Sequence, residues 1–133
     1  MIELKNQDQL NIMSEGGKKL SDVMKKLMEL SQPGVNLLTI EKKANELIKK
    51  AGGKPGFKKV DNYDWATCLN VNKGIVHGIP KDYNLKKGDV FSLDIGMVYK
   101  GLNTDMCNTK VVGKNKETID KEIKEFLETG KRA

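Results

Sequence analysis

Two runs rich in apolar and β-branched residues, 90–99 and 102–112, are separated by nothing but Lys100-Gly101. Runs joined by two residues close as a tight β-hairpin, and the turn then fixes which residues face each other. Counting outward, Tyr99 faces Leu102, Gly96 faces Asp105 and Asp94 faces Cys107. Because side chains alternate along a strand, Phe91, Leu93, Ile95, Met97 and Tyr99 share one apolar face. Asp94, Gly96, Asp105, Cys107 and Thr109 share the other, so both carboxylates point the same way.

As diagonal neighbours, Asp94 and Asp105 have β-carbons roughly 5 to 8 Å apart, close enough for both carboxylates to reach one small cation. Gly96 between them leaves room. Aspartate is a poor strand former, and two like charges so placed repel unless one takes up a proton or a counter-ion intervenes. A divalent metal resolves both difficulties. The competing reading is a solvated hairpin face on which salt and nearby lysines tolerate two acids. Against it, Gly96, Cys107, Thr109 and Val111 are small or apolar, which points to a partly buried face where an unpaired acid pair is costly.

The apolar face of the hairpin needs a covering layer, and the residues before it supply one. Leu10, Met13, Leu20, Val23, Leu27 and Leu30 recur at helical spacing, with Asn6 and Gln9 placed as a capping box and Pro33-Gly34 as the stop. A second helix is expected from Thr39, carrying Ile40, Ala44, Leu47, Ile48 and Ala51 on one face and ending at Gly52-Gly53. After a connection rich in Gly, Pro and Lys through Phe57, the runs 66–71 and 75–79 read as further strands and 80–89 as a turn-rich link. From Thr118, the residues Ile119, Ile123, Phe126 and Leu127 form the stripe of a last helix. Two helices, a small antiparallel sheet and one helix make an α+β layer arrangement, and 133 residues with 38% hydrophobic content suit one domain, 1–133.

A formal charge of +6 admits a polyanionic partner, yet the lysines are interleaved with Glu and Asp and only 5% of residues are aromatic, the pattern of a solvated surface. Weak ribosome or RNA affinity is what that charge allows. Residues 1–10 hold no apolar leader core, and no window approaches about eighteen consecutive apolar residues, so neither export nor membrane association is expected. Cys68 and Cys107 match no metal-ligand or disulfide spacing, which favours a reducing, cytoplasmic compartment and reads each as a small packed residue.

His77, the one histidine, sits in Ile75-Val76-His77-Gly78-Ile79-Pro80. A lone histidine is usually structural. Placed where a strand ends before a Gly and Pro turn, its imidazole can also project into a cleft and donate a proton or hydrogen bond. With these residues in view, the sequence resembles the type I methionine aminopeptidases. His77-Gly78-Ile79-Pro80, Ser92-Leu93-Asp94-Ile95-Gly96, Lys100-Gly101 and Asp105 carry the likeness. It extends from Met13, Gly16 and Gly17 through Lys86-Lys87-Gly88-Asp89 to Val111-Val112-Gly113, and covers only the N-terminal half of that family.

The resemblance implies half of a pita-bread (creatinase/aminopeptidase-like) fold, in which two related halves enclose a dinuclear metal site and each half supplies ligands. It implies that Asp94 and Asp105 are metal ligands for two divalent ions (Mn, Co, Fe or Zn) and that His77 lies near the scissile amide of an N-terminal peptide substrate. By position it places Tyr63 and Cys68 in the pocket for the N-terminal methionine side chain, with Trp65 as a further wall. Departures occur at Asn103-Thr104 and Met106, around the second aspartate, where they bear on the hydrogen bonds that orient its carboxylate. The relatives of the aminopeptidase P and prolidase type share the aspartate spacing, but the His77-Gly78-Ile79-Pro80 context favours the methionine enzyme.

The implied chemistry is metal-dependent hydrolysis of the first peptide bond, for which carboxylates are suitable hard donors. Two aspartates alone hold metal weakly, and three arrangements answer this. The chain is a fragment of a longer protein and needs its complementary C-terminal half. Alternatively it is a half-enzyme that homodimerises so that each copy gives Asp94, Asp105 and His77. The last is a non-catalytic module that holds peptides or a ribosomal partner.

Overall fold

The computed structural model describes residues 4–114 and 119–132. Thr118, the expected opening of the last helix, and residues 1–3 of the N-terminal window 1–10 lie outside the described residues.

The first helix, α1 (Gln7–Leu30), starts at a complete capping box: Gln9 N donates to Asn6 Oδ1 and Asn6 N donates to Gln9 Oε1, both at 2.9 Å. It stops where Ser31 turns its own N–H and hydroxyl back onto the Leu27 carbonyl, ahead of Pro33. Its buried face is Gly16, Leu20, Val23, Met24 and Leu27. Leu10, expected on that face, is 48% exposed, because full cover begins only at Gly16, where the helix reaches Tyr99. The second helix, α2 (Leu37–Lys50), begins two residues before the expected Thr39. Asn36 is the reason. Its side chain accepts from Leu38 N at 2.9 Å, while its amide donates to Asp82 and Asn84, so the cap is held by a distant loop that local periodicity does not reveal.

Four strands form one antiparallel sheet: β1 (Lys54–Pro55), β2 (Thr67–Val71), β3 (Val90–Tyr99) and β4 (Leu102–Val111). Lys100 and Gly101 form the β3–β4 turn with φ of +47° and +86°, both in the left-handed region that a two-residue hairpin requires. The register is the one counted from the sequence, with Tyr99 opposite Leu102, Gly96 opposite Asp105 and Asp94 opposite Cys107. Since β4 takes one edge of β3 throughout, β1 and β2 share its other edge, at Met97–Val98 and Phe91–Ile95 respectively. Between Pro55 and Thr67 the chain therefore leaves the sheet and returns almost where it left. The segment 56–66, with a 3-10 turn at Phe57–Lys59, is an excursion over the open face.

α1 and α2 cover the opposite face. Phe91, Leu93, Ile95 and Met97 have no exposed surface and pack with Leu20, Leu27, Leu37, Ile40 and Ile48. Each such side chain contributes roughly 1.5–3 kcal/mol through burial. The residues 75–79 are not a strand: Ile75, Val76 and Ile79 are 86, 68 and 57% exposed. Both edges of β3 are taken, and the free edge of β2 receives one bond from this segment, Leu69 N to the Gly78 carbonyl at 2.8 Å, rather than a ladder. The final helix, α3 (Lys121–Arg132), passes over Cys107, Asn108 and Thr109. Leu127 is half-buried there, but Phe126, expected on the inward stripe, is 70% exposed, because α3 bounds an open groove instead of sealing it.

Candidate active site

On the open face three strands bring one residue each into a row, Cys68 on β2, Asp94 on β3 and Cys107 on β4. Asp105 lies two residues from Cys107 along β4, opposite Gly96. Asp94 and Asp105 are diagonal neighbours on one face of the β3–β4 ladder. Burial pushes Asp94 above the usual carboxylate range, and the charge of Asp105 and a hydrogen bond between the two groups push it the same way; the Ile95 N–H and the charge of His77 oppose this. Asp105 is exposed and its Oδ1 accepts Met106 N at 2.9 Å.

The excursion builds a wall over this pair. Gly56 N donates to the Gly96 carbonyl at 2.8 Å, and the ring of Phe57 then lies directly on Gly96. A β-carbon at Gly96 would stand 2.7 Å from Phe57 Cε1. The space next to the aspartates is thus filled by an aromatic ring, which corrects the expectation that Gly96 leaves open room. Tyr63 meets Phe57 edge-on, with centroids 6.4 Å apart. Its hydroxyl contacts the Thr67 carbonyl at 2.8 Å and Cys68 Sγ at 3.1 Å, and burial raises its pKa. Burial also raises the Cys68 thiol, helped by the charges of Asp94 and Asp105 and countered by the Tyr63 hydrogen bond.

His77 comes from the irregular loop after β2, with φ of +52°. That loop is drawn onto the sheet at Gly78, where a β-carbon would lie 2.3 Å from the Leu69 carbonyl oxygen, so only glycine permits the approach. Its far end is fixed by Asp89, which accepts from Asn72, Tyr83 and Lys86 N.

A cavity of about 420 Å³ results, with Asp94 and Asp105 at its acidic end. Phe57, Val60, Tyr63, Cys68, His77 and Ile79 line the rest. The structure brings together Tyr63, Cys68, His77, Asp94 and Asp105 from five separate segments. Trp65 is half-buried and is not among the lining residues. Phe57, Val60 and Ile79 are lining residues that the sequence reading missed; the apolar character of exposed Val60 and Ile79 was the available signal. Cys68 is buried as expected, whereas Cys107 is exposed because the outer face of β4 is open.

Two carboxyls on one face of adjoining strands, the charge of one raising the other, suit a divalent cation between them. Among the described residues no group of three or more His, Cys, Asp or Glu side chains is placed to hold a metal.

Residues 11–133 match metallopeptidase family M24. The chain belongs to that family. Among curated M24 relatives, the methionine aminopeptidase of Clostridium perfringens is 35% identical over 93% of this chain and 50% of its own length. Methionine aminopeptidase 1 of Bacillus subtilis is likewise 35% identical, over 96% of this chain and 51% of its own. The crystal structure of the Thermotoga maritima methionine aminopeptidase superposes with a TM-score of 0.90 at 32% identity, covering 99% of this chain and 52% of that one. A prolidase from Pyrococcus furiosus shares the fold at a TM-score of 0.80 and 22% identity, over 94% of this chain and 34% of its own. The chain thus has the α+β architecture of half of a pita-bread fold and spans about half the length of the curated M24 relatives it matches. Among the described residues no helix is long and apolar enough to cross a membrane.

Proposed function

We propose that this chain contributes the aspartate half of the metal site, and the pocket beside it, to a metal-dependent aminopeptidase that removes N-terminal methionine. The supporting observation is the Asp94–Asp105 pair at one end of a cavity whose other walls are Phe57, Val60, Tyr63, Cys68 and Ile79. Asp94 and Asp105 would hold divalent ions of manganese, cobalt, iron or zinc, which supply Lewis acidity toward an amide when bound. The apolar and sulfur-bearing walls suit a flexible thioether side chain. His77, at the same cavity and within electrostatic reach of Asp94, is placed to hydrogen-bond the scissile amide or move a proton there.

In this reading a second copy of the chain supplies the remaining donors as a second Asp94, Asp105 and His77. Val60 and Ile79 at the cavity, with Ile75 and Val76 in the same loop as Ile79, favour it, since all four are exposed apolar side chains. A twofold axis would bring two such sets and two acid pairs together. The reducing cytoplasm suits its two free thiols, and the +6 charge suits a weak ribosomal association close to emerging N-termini.

Hydrolysis of a Met-Ala-Ser peptide with and without Mn²⁺ or Co²⁺, alongside light-scattering mass, tests this reading. The expected result is a mass twice that of the single chain and metal-dependent release of methionine that Asp94→Asn abolishes. An inactive monomer overturns the assembled enzyme and favours a module that binds peptides without cutting them.

A further inference from the structure

Glu41 is a buried carboxylate that the candidate site does not use. It lies on the sheet-facing side of α2, 5% exposed, between Ile40 and Ala44, which are fully buried. Among the described residues no ion pair neutralises it; N–H and O–H donors converge on it instead. Asn45 Nδ2 and Ala66 N donate to Oε1 at 2.6 and 2.8 Å, and Thr67 N and Thr67 Oγ1 donate to Oε2 at 3.0 and 2.6 Å. A carboxylate is buried at a cost that only such a donor set offsets, so the arrangement fixes whatever carries the donors.

Three of these donors belong to Ala66 and Thr67, the point where the excursion rejoins the sheet. Thr67 opens β2 opposite Ile95, and the next residue, Cys68, faces Asp94. The Thr67 carbonyl accepts the hydroxyl of Tyr63, which in turn contacts Cys68. From the covered side of the sheet, Glu41 therefore grips the one backbone step that sets both polar walls of the cavity on the open side. We propose that Glu41 is a positioning residue: it clamps Ala66 and Thr67 and so holds Tyr63 and Cys68 against the Asp94–Asp105 pair. What the cavity binds rests on the aminopeptidase reading; the clamp does not.

A merely stabilising buried acid and a clamp differ in what loosens when the acid is changed. Glutamine offers one oxygen where the donors of residues 66 and 67 need two, so Glu41→Gln should free the start of β2 while the rest of the sheet stays closed. The test is the rate at which N-ethylmaleimide labels Cys68 in the folded protein at fixed pH, read by peptide mass spectrometry with exposed Cys107 as internal reference. In Glu41→Gln the Cys68 to Cys107 ratio should rise by about 10-fold through local opening, and Glu41→Asp, which keeps both oxygens, should restore part of the loss. Ile48→Val, a core change in the same helix, should lower the urea midpoint without moving the ratio. An unchanged ratio in Glu41→Gln, or one that rises equally in Ile48→Val at matched stability, overturns the clamp. Should Glu41→Gln fail to fold, Thr67→Val removes only the hydroxyl donor and should raise the ratio by about 3-fold; no rise there also overturns it. Where wild-type chain cleaves Met-Ala-Ser, the variant should raise KM more than it lowers kcat. A wild type without activity sinks the aminopeptidase reading and leaves the labelling outcome to decide the clamp.

Discussion

The two faces of the β3–β4 hairpin are a single residue step apart and have opposite characters. Inward, Phe91, Leu93, Ile95 and Met97 have lost all contact with solvent. Outward, Asp94 is half-buried and Asp105 and Cys107 are exposed. The same two strands thus carry the stability of the fold on one parity and the candidate ligands on the other, and the two can be altered separately.

The largest expected effect is on the inward face. Leu93→Ala should cost about 2–5 kcal/mol, read from the urea midpoint, and leave Mn²⁺ binding by the remaining folded protein unchanged. Gly96→Ala probes where the division breaks down, since it lies on the outward parity but meets the Phe57 ring at 2.7 Å. A cost of about 1–3 kcal/mol is expected, and Phe57→Ala in the same chain should recover much of it. A wholly additive double variant would place the strain elsewhere.

The smallest effect on stability, with the opposite sign, belongs to Asp94→Asn. Relieving a like-charge neighbour across the strands should stabilise the metal-free protein by about 0.2–1 kcal/mol near neutral pH while removing metal affinity. The pH dependence follows. Burial, and Asp105 after it, raise Asp94 in the folded state, so this carboxyl favours folding as it takes up its proton and opposes it at higher pH. The gain in Asp94→Asn should shrink as pH falls through that raised value. Asp89 behaves in reverse. Burial pushes it upward, but the Lys86 N–H, the Asn72 amide and the Tyr83 hydroxyl outweigh that and leave it lowered. Its contribution is present above the ordinary carboxylate value of about 4 and is lost as pH falls through the depressed one. Urea midpoints measured across acid pH for wild type, Asp94→Asn and Asp89→Asn should show the two opposite trends.

What the sequence made legible was local. Lys100-Gly101 and strict alternation set the hairpin register, and with it the common face of Asp94 and Asp105, because both signals lie within a few residues of what they determine. The Asn6 and Gln9 cap was readable for the same reason. Missing were features decided at long range. Asn36 starts α2 early because residues 82 and 84 hold it. The run 75–79 has strand composition but makes a single bond to the free edge of β2, Leu69 N to the Gly78 carbonyl, and no ladder. Phe57 reaches the site only because Gly96 admits its ring. Glu41 sits among the lysines of a helix and looks like part of a wet surface until residues 66 and 67 arrive beneath it.

Because β1 and β2 share one edge of β3, the segment 56–66 departs and returns at neighbouring positions of a rigid strand. Its two ends are held together by the sheet, whatever lies between them. Loop closure then depends only weakly on length, about 0.6 kcal/mol per doubling. Insertions and replacements there can resize one wall of the cavity without disturbing the aspartates on the other side of Gly96. The scaffold thus has a natural cassette, through which one acidic hairpin can be fitted to side chains of different bulk.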